Sequence, residues 1–171
     1  MPTDTIYGIV GLALNPKTVE EIYSLRKRTT DKPMIILISS IEDLQKFDIK
    51  VTKAQTDFLK KVWPNPVSVI LPCPKEEFKF LHRNKKSLAF RMPCSKMLLN
   101  ILAKVGPLVA PSANFEDSKP AETIAEAKKY FGDKVSFYVN DGRVRSEPST
   151  LVQLSGDGSY KILRQGSCKL V

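Results

Sequence analysis

The residues of this chain that could do chemistry are small hydroxyls and cations recurring near the ends of short apolar runs. The hydroxyls are Thr3, Thr5, Ser112, Ser149 and Thr150, and the cations are Arg28, Lys32, Arg91 and Arg164. Such groups bind carboxylate and phosphate oxygens and need not break a covalent bond themselves. Their pattern points to a reaction run by positioning and charge, as in nucleotidyl transfer. Patterns for covalent catalysis are missing. No G-x-S-x-G puts a serine on a nucleophile elbow, and there is neither a P-loop nor a dinucleotide fingerprint. His82 is the single histidine, which excludes catalysis built on several imidazoles. Cys73, Cys94 and Cys168 are an odd number at wide spacing, so neither a disulfide framework nor a zinc site is expected, and a reducing cytoplasm fits best. Lys and Arg number 27 against 18 Asp and Glu; the net charge of +9 favours an anionic partner, nucleotide or nucleic acid, without choosing between them. No signal peptide and no run long enough to span a bilayer is present, so no membrane role is expected.

Two clusters stand out. Gly106 to Asn114 reads G-P-L-V-A-P-S-A-N, a minimal buried strand between two prolines followed by Ser112, Ala113 and Asn114 in a loop at its carboxyl end. In open α/β sheets ligands bind at that edge. A turn in which Ser112 and Asn114 merely satisfy their own backbone explains the same residues. The second cluster is Arg26-Lys27-Arg28 with Lys32, which reads either as a charged helix end or as a phosphate clamp.

The elements that must position these groups follow from pattern. A strand is expected over Thr5–Ala13, then a helix from Asn15-Pro16 to about Arg28, with Asn as N-cap and Pro at the first helical position. Met34–Ile38 is an unbroken apolar strand. Ser40 with Asp43 opens a short helix to about Phe47, and Thr52 with Gln55 a capping-box helix to Val62, stopped by Trp63-Pro64-Asn65-Pro66. Val67–Leu71 and Ser87–Met92 read as strands, with a mobile charged loop from Pro72 to Lys86 between them. Ser95 starts a helix ended by Gly106, Thr123–Phe131 forms another, and Val135–Val139 reads as a strand. Ser149–Leu154 and Tyr160–Leu163 flank Gly156-Asp157-Gly158 as a closing β-hairpin. The expected class is α/β, an open, twisted, mixed sheet with flanking helices, in one domain of 171 residues.

Seven motifs occur in one order: P-T-D-T-I-Y-G, R-K-R-x-x-x-K-P, W-P-N-P, A-F-R-M-P, A-P-S-A-N, S-T-L-V and I-L-R-Q-G. Together they resemble the YrdC-like threonylcarbamoyl-AMP synthases, of the short single-domain type, over essentially the whole chain. The resemblance implies an open sheet with a concave, positively charged cavity. It implies condensation of L-threonine, bicarbonate and ATP, with Mg²⁺ accompanying the nucleotide and no metal ligand assigned among the side chains. The product would feed a partner protein that modifies tRNA with threonylcarbamoyladenosine, with direct tRNA contact a further expectation. Carried over by position, Thr5, Arg91 and Ser149 would hold the threonine. Arg28, Lys32, Ser87, Ser112, Asn114 and Arg164 would contact ATP, and Arg28, Lys32 and Ser112 would be the catalytic set.

Three departures matter. Arg26 stands where the family's K-x-R has its first lysine, Leu37 stands where some members carry a histidine near the threonine, and the helix and strand that normally precede P-T-D-T are absent from this sequence. Two other readings follow: a non-catalytic basic tRNA- or RNA-binding module of the same fold, and an adenylating domain acting on a different carbamate. Against the first, no aromatic stripe suited to base stacking is interleaved with the cations.

Overall fold

The structure, a computed structural model, describes residues 1–170. Its frame is one seven-stranded mixed sheet in the order β1-β5-β2-β4-β3-β6-β7. The strands are β1 (Gly11–Leu12), β2 (Ile35–Leu37), β3 (Val67–Pro72), β4 (Ser87–Arg91), β5 (Leu108–Val109), β6 (Thr150–Leu154) and β7 (Tyr160–Arg164). β2 runs parallel to β4 and β3 parallel to β6, while the remaining pairings are antiparallel. The α/β class and the open mixed sheet expected from sequence are what the chain forms.

Side-chain alternation along the strands explains the layering, because successive residues point to opposite faces. Ile36, Val67, Val69, Leu71, Leu88, Phe90 and Val152 join the main core. That core also takes the buried stripes of α1 (Pro16–Leu25), α2 (Lys53–Val62) and α5 (Ile124–Phe131), and Leu44 and Phe47 of the 3₁₀ helix Ile41–Phe47. Ile35, Leu37, Leu108 and Ala110 project the other way and pack with Leu98 and Leu102 of α4 (Lys96–Val105). α4 covers only part of this second face. The remainder, over Ile70, Ala89 and Leu151, lines a cavity. Strands buried on both faces read as unbroken apolar runs, which is why Met34–Ile38 shows no alternation.

The helix caps match their sequence signals. Asn15 accepts the Thr18 amide at 3.2 Å, and Thr52 and Gln55 form the reciprocal box. Three expectations are corrected. Thr5–Ala13 is not a long strand: only Gly11 and Leu12 pair continuously, and the stretch before them meets the fold through isolated bridges, Pro2 with Tyr7 and Gly8 with Ser112. Val135–Val139 forms no strand; Phe137 is exposed, and no neighbouring strand pairs with the segment. The charged loop after Pro72 folds instead into a 3₁₀ turn (Glu76–Phe78) and α3 (Lys79–His82), because Phe78 and Leu81 reach the core.

Candidate functional site

The cavity has a volume of about 570 Å³ and lies on the sheet face that α4 leaves open. This is within the size range of small-molecule sites, about 300–1,000 Å³. Strand register builds its floor. Leu37 pairs with Arg91, Val69 with Phe90, Ser68 with Leu151, and Leu151 with Arg164. Arg91, Ser68, Leu151 and Arg164 therefore form one row across four strands. Ser149, just before β6, is almost fully buried, and its hydroxyl lies 2.8 Å from that of Ser68. The Ser149 carbonyl accepts Arg164 Nη2 at 2.9 Å.

The end of α1 supplies two more cations by a sharp change of backbone direction. The Arg28 amide donates to Tyr23 carbonyl at 3.0 Å and the Lys27 amide to Ser24 carbonyl at 3.0 Å, the paired bonds of a Schellman motif. Lys27 occupies the left-handed position at φ 49° where glycine is usual, and its ammonium lies 4.3 Å over the Phe115 ring. Arg26 before it and Arg28 after it both line the cavity. Arg28 is pinned by carbonyls, its Nε to Lys32 at 3.1 Å and its Nη2 to Pro33 at 3.3 Å.

Arg26 is the residue that sequence reading undervalued. Its side chain is buried, and it ties α1 to the loop after β5. Nε donates to the Asn114 carbonyl at 3.1 Å, and Nη2 to Ser112 Oγ at 3.1 Å and Asn114 Oδ1 at 3.2 Å. Burial, then the neighbouring Arg28, pulls the Arg26 guanidinium down to about 10, so it stays cationic at neutral pH. The signal in the sequence was the first basic position of Arg26-Lys27-Arg28, an arginine where the resemblance has a lysine. Ser112, which accepts from a guanidinium, is disposed as an oriented hydroxyl and not as a base-activated nucleophile.

Arg91 is held by an acid that the motif reading did not single out. Its Nη2 lies 2.9 Å from Asp4 Oδ1, with the two side chains 4% and 1% exposed. Burial lowers the Arg91 guanidinium from its ordinary value and Asp4 opposes that shift. Asp4 Oδ2 also accepts the Cys94 amide at 3.3 Å. Thr5 is buried, lines the cavity and sits 3.2 Å, hydroxyl to hydroxyl, from Thr3.

Thr5, Arg28, Ser87, Arg91, Ser112, Ser149 and Arg164, dispersed through the chain, are thus brought to one cavity. Two expected residues are not in its lining. Lys32 is 52% exposed and its ammonium lies 2.8 Å from Glu116 Oε1. Hydrogen bonds from Lys32 and Thr29 pull the Glu116 carboxyl down to about 2. This pairing ties the turn after α1 to the loop after β5. Asn114 is buried with its carboxamide fully engaged, accepting from Arg26 and donating to the Phe115 and Ser118 carbonyls at 2.7 Å each. Its place is behind the cavity wall. Leu37 packs with α4 and is likewise outside the lining.

The electrostatics are one-sided. Arg26, Arg28, Lys85, Arg91 and Arg164 line the cavity, and no aspartate or glutamate does. Among the described residues, only Arg91 of these five has a carboxylate within ion-pair distance. Arg26 Nη1 and Arg91 Nε are buried with no hydrogen-bond partner among the described residues. Each such orphan donor costs about 1–3 kcal/mol, a cost that an anionic ligand would remove. Described residues hold no group of three or more His, Cys, Asp or Glu that could bind a metal. None of their helices is long and apolar enough to cross a membrane.

Comparison with known proteins agrees with this geometry. The family model described as Sua5_yciO_yrdC, telomere recombination, matches residues 1–166. The threonylcarbamoyl-AMP synthase of Pyrococcus abyssi is 30% identical over 99% of this chain and 50% of its own length. The corresponding protein of Klebsiella pneumoniae is 30% identical over 96% of this chain and 87% of its own. Among solved structures, P. abyssi Sua5 complexed with L-threonine superposes with a TM-score of 0.86 at 27% identity, covering 96% of this chain and 49% of that one. The chain thus spans about half the length of the P. abyssi relative and most of the Klebsiella one. With its sheet, its acid-free cavity and the match over residues 1–166, the chain belongs to the Sua5/YciO/YrdC family.

Proposed function

We propose that the chain is an L-threonylcarbamoyladenylate synthase, a nucleotidyltransferase that condenses L-threonine, bicarbonate and ATP into threonylcarbamoyl-AMP and pyrophosphate. The observation that carries this reading is the cavity lined by five cations and no acid, with two buried guanidinium donors unpartnered. Such a site matches a substrate set of carboxylate, carbamate and triphosphate. The names of the relatives point to the same reaction.

Arg91, with Nη2 on Asp4, offers its remaining N–H groups to the threonine carboxylate, beside the Thr5 and Ser149 hydroxyls. The threonine amine condenses with bicarbonate: its nitrogen bonds to the carbon, the C–OH bond breaks, and hydroxide leaves as water with a proton from the amine, giving a carbamate. A carbamate oxygen then bonds to the α-phosphorus, and the bond from that phosphorus to the bridging oxygen breaks, with pyrophosphate taking the electron pair. Arg26, Arg28 and Arg164 supply fixed positive charge for the phosphates, and Ser112 and Ser87 orient them. Lys32 and Asn114 contribute from outside the lining, by holding the turn after α1 and the loop that carries Ser112. This is catalysis by positioning and preorganised charge. No Asp or Glu lines the cavity to hold a metal, so Mg²⁺ would have to be brought by the nucleotide itself, where it would share the triphosphate charge with Arg26, Arg28 and Arg164. The product passes to a protein that transfers the threonylcarbamoyl group to tRNA, and the cytoplasm is the matching compartment.

The test is pyrophosphate release. It should require ATP, L-threonine and bicarbonate together, with Mg²⁺. Release that ignores threonine would reassign the acyl substrate, and no release alongside tight RNA binding would support the binding-module reading.

A further inference from the structure

The turn at residues 83–86, which brings Lys85 to the cavity lining, keeps an unfavourable backbone. Arg83, Asn84 and Lys86 have φ of 49°, 65° and 53°, and none is glycine. A left-handed conformation costs an ordinary L-residue roughly 1–2 kcal/mol, asparagine less. It persists only where the surroundings over-determine it, and such sites cluster at ligand clamps. Here the restraints are specific. His82 is fully buried with Nε2 3.1 Å from the Lys75 carbonyl. The Lys85 amide donates to the His82 carbonyl, and the Cys73 amide to the Lys86 carbonyl, each at 2.8 Å. The Arg83 guanidinium lies 4.1 Å over the Tyr23 ring and 2.7 Å from Glu20, which clamps the turn to α1.

What this turn delivers to the cavity is Lys85, which lines it; its neighbour Lys86 does not. Among the described residues Lys85 has no carboxylate partner, whereas Lys75 and Lys79 of the same segment pair with Asp48 and Glu76. Its end of the cavity is also defined. β2 and β4 are parallel with Ile35 opposite Ala89, which puts Pro33, and the Arg28 side chain bonded to its carbonyl, beside the start of β4. Lys85 precedes β4 at that same end. Arg91 closes the other end, four strand steps from Ser87 or roughly 13 Å away.

We propose that Lys85 is a further substrate-contacting residue that, with Arg28, binds the β- and γ-phosphates that leave as pyrophosphate. The inference rests on the proposed function. In an in-line displacement the attacking and leaving oxygens lie on opposite sides of the phosphorus. With the threonyl carbamate anchored at Arg91, the leaving group extends towards the opposite end, where Arg28 and Lys85 stand.

Calorimetric titration of the whole chain with pyrophosphate and, separately, with AMP tests this. Lys85→Glu should weaken pyrophosphate about tenfold and AMP less than about twofold, while Lys85→Arg stays within about threefold of the parent. Lys86→Glu makes the same charge change one residue away, outside the lining. At about 0.15 M salt, where charges are screened over about 8 Å, it should weaken pyrophosphate less than about twofold. Equal weakening by Lys85→Glu and Lys86→Glu, or equal weakening of AMP and pyrophosphate, overturns the assignment. So does a parent chain that binds no pyrophosphate. A parent that makes pyrophosphate from the three substrates, with Lys85→Glu binding it normally, sinks this inference alone. Binding that depends on Lys85 in a chain without threonine-dependent turnover sinks the proposed reaction and leaves the anion site standing.

Discussion

At the scale of single residues, the Asp4–Arg91 pair sets the character of one end of the cavity. Both side chains are nearly inaccessible, so the pair is a desolvated one, and its 2.9 Å contact leaves Arg91 Nε unpartnered. Removing one member of a buried pair strands the other charge, at a cost of about 3–5 kcal/mol. Asp4→Asn, which keeps the shape and removes the charge, should therefore lower stability in urea by about 3 kcal/mol. In the fraction that stays folded, the KM for threonine should rise much more than that for ATP if, as proposed, Asp4 fixes the guanidinium edge that Arg91 turns to the amino acid. A variant that melts like the parent, or one whose two KM values move together, would remove Asp4 from its positioning role. Lys32 illustrates the opposite case: a cation close in sequence to Arg28 whose charge is committed to Glu116.

At the scale of elements, the strap after β7 holds the cavity's Ser149 wall in place. The Gly166 amide donates to Thr150 Oγ1 at 3.0 Å and the Ser167 amide to the Pro148 carbonyl at 3.0 Å. A Cβ on Gly166 would overlap the Pro148 carbonyl oxygen and the Ser149 backbone. Gly166→Ala should then cost about 1–3 kcal/mol, the usual penalty of overpacking, and cut pyrophosphate formation, since Ser149 and its bond to Arg164 must move. Gly156→Ala is the matched control in the β6–β7 turn, where an added Cβ meets nothing within 4 Å and φ is not positive. Thermal melts and turnover should separate the two variants. Equal behaviour would show that the strap does not transmit to the site.

At the scale of the whole molecule, the charge of +9 is unevenly used: part of it is gathered into a cavity with no acid in its lining. ATP affinity should fall steadily as salt rises from about 0.01 to about 1 M, where the Debye length shrinks from about 30 to about 3 Å. Threonine, a net-neutral zwitterion, should respond little, and parallel responses in the calorimeter would mean that the cavity's field is not what selects the nucleotide. Much of this organisation was legible in the sequence because it is written in local terms. Asn15-Pro16 and Thr52 with Gln55 mark helix starts through caps that involve neighbours three residues apart. The run Met34–Ile38 marks a strand buried on both faces, and the prolines around Leu108–Val109 mark a short one. Most of the hydroxyl and cation set could be named because its members sit beside strand or helix ends, Thr3 and Thr5 being the exceptions. What only the tertiary structure decided is which of these groups share the cavity and which face away. Asp4 and Arg91 are 87 positions apart in the numbering, Arg26 and Asn114 are 88, and their pairing depends on strand order and register, which no local pattern encodes. The strained turn that presents Lys85 was equally hidden. Arg83 and Lys86 have no intrinsic preference for positive φ, and they hold it because Tyr23, Glu20, Cys73 and the buried His82 restrain them from elsewhere in the fold.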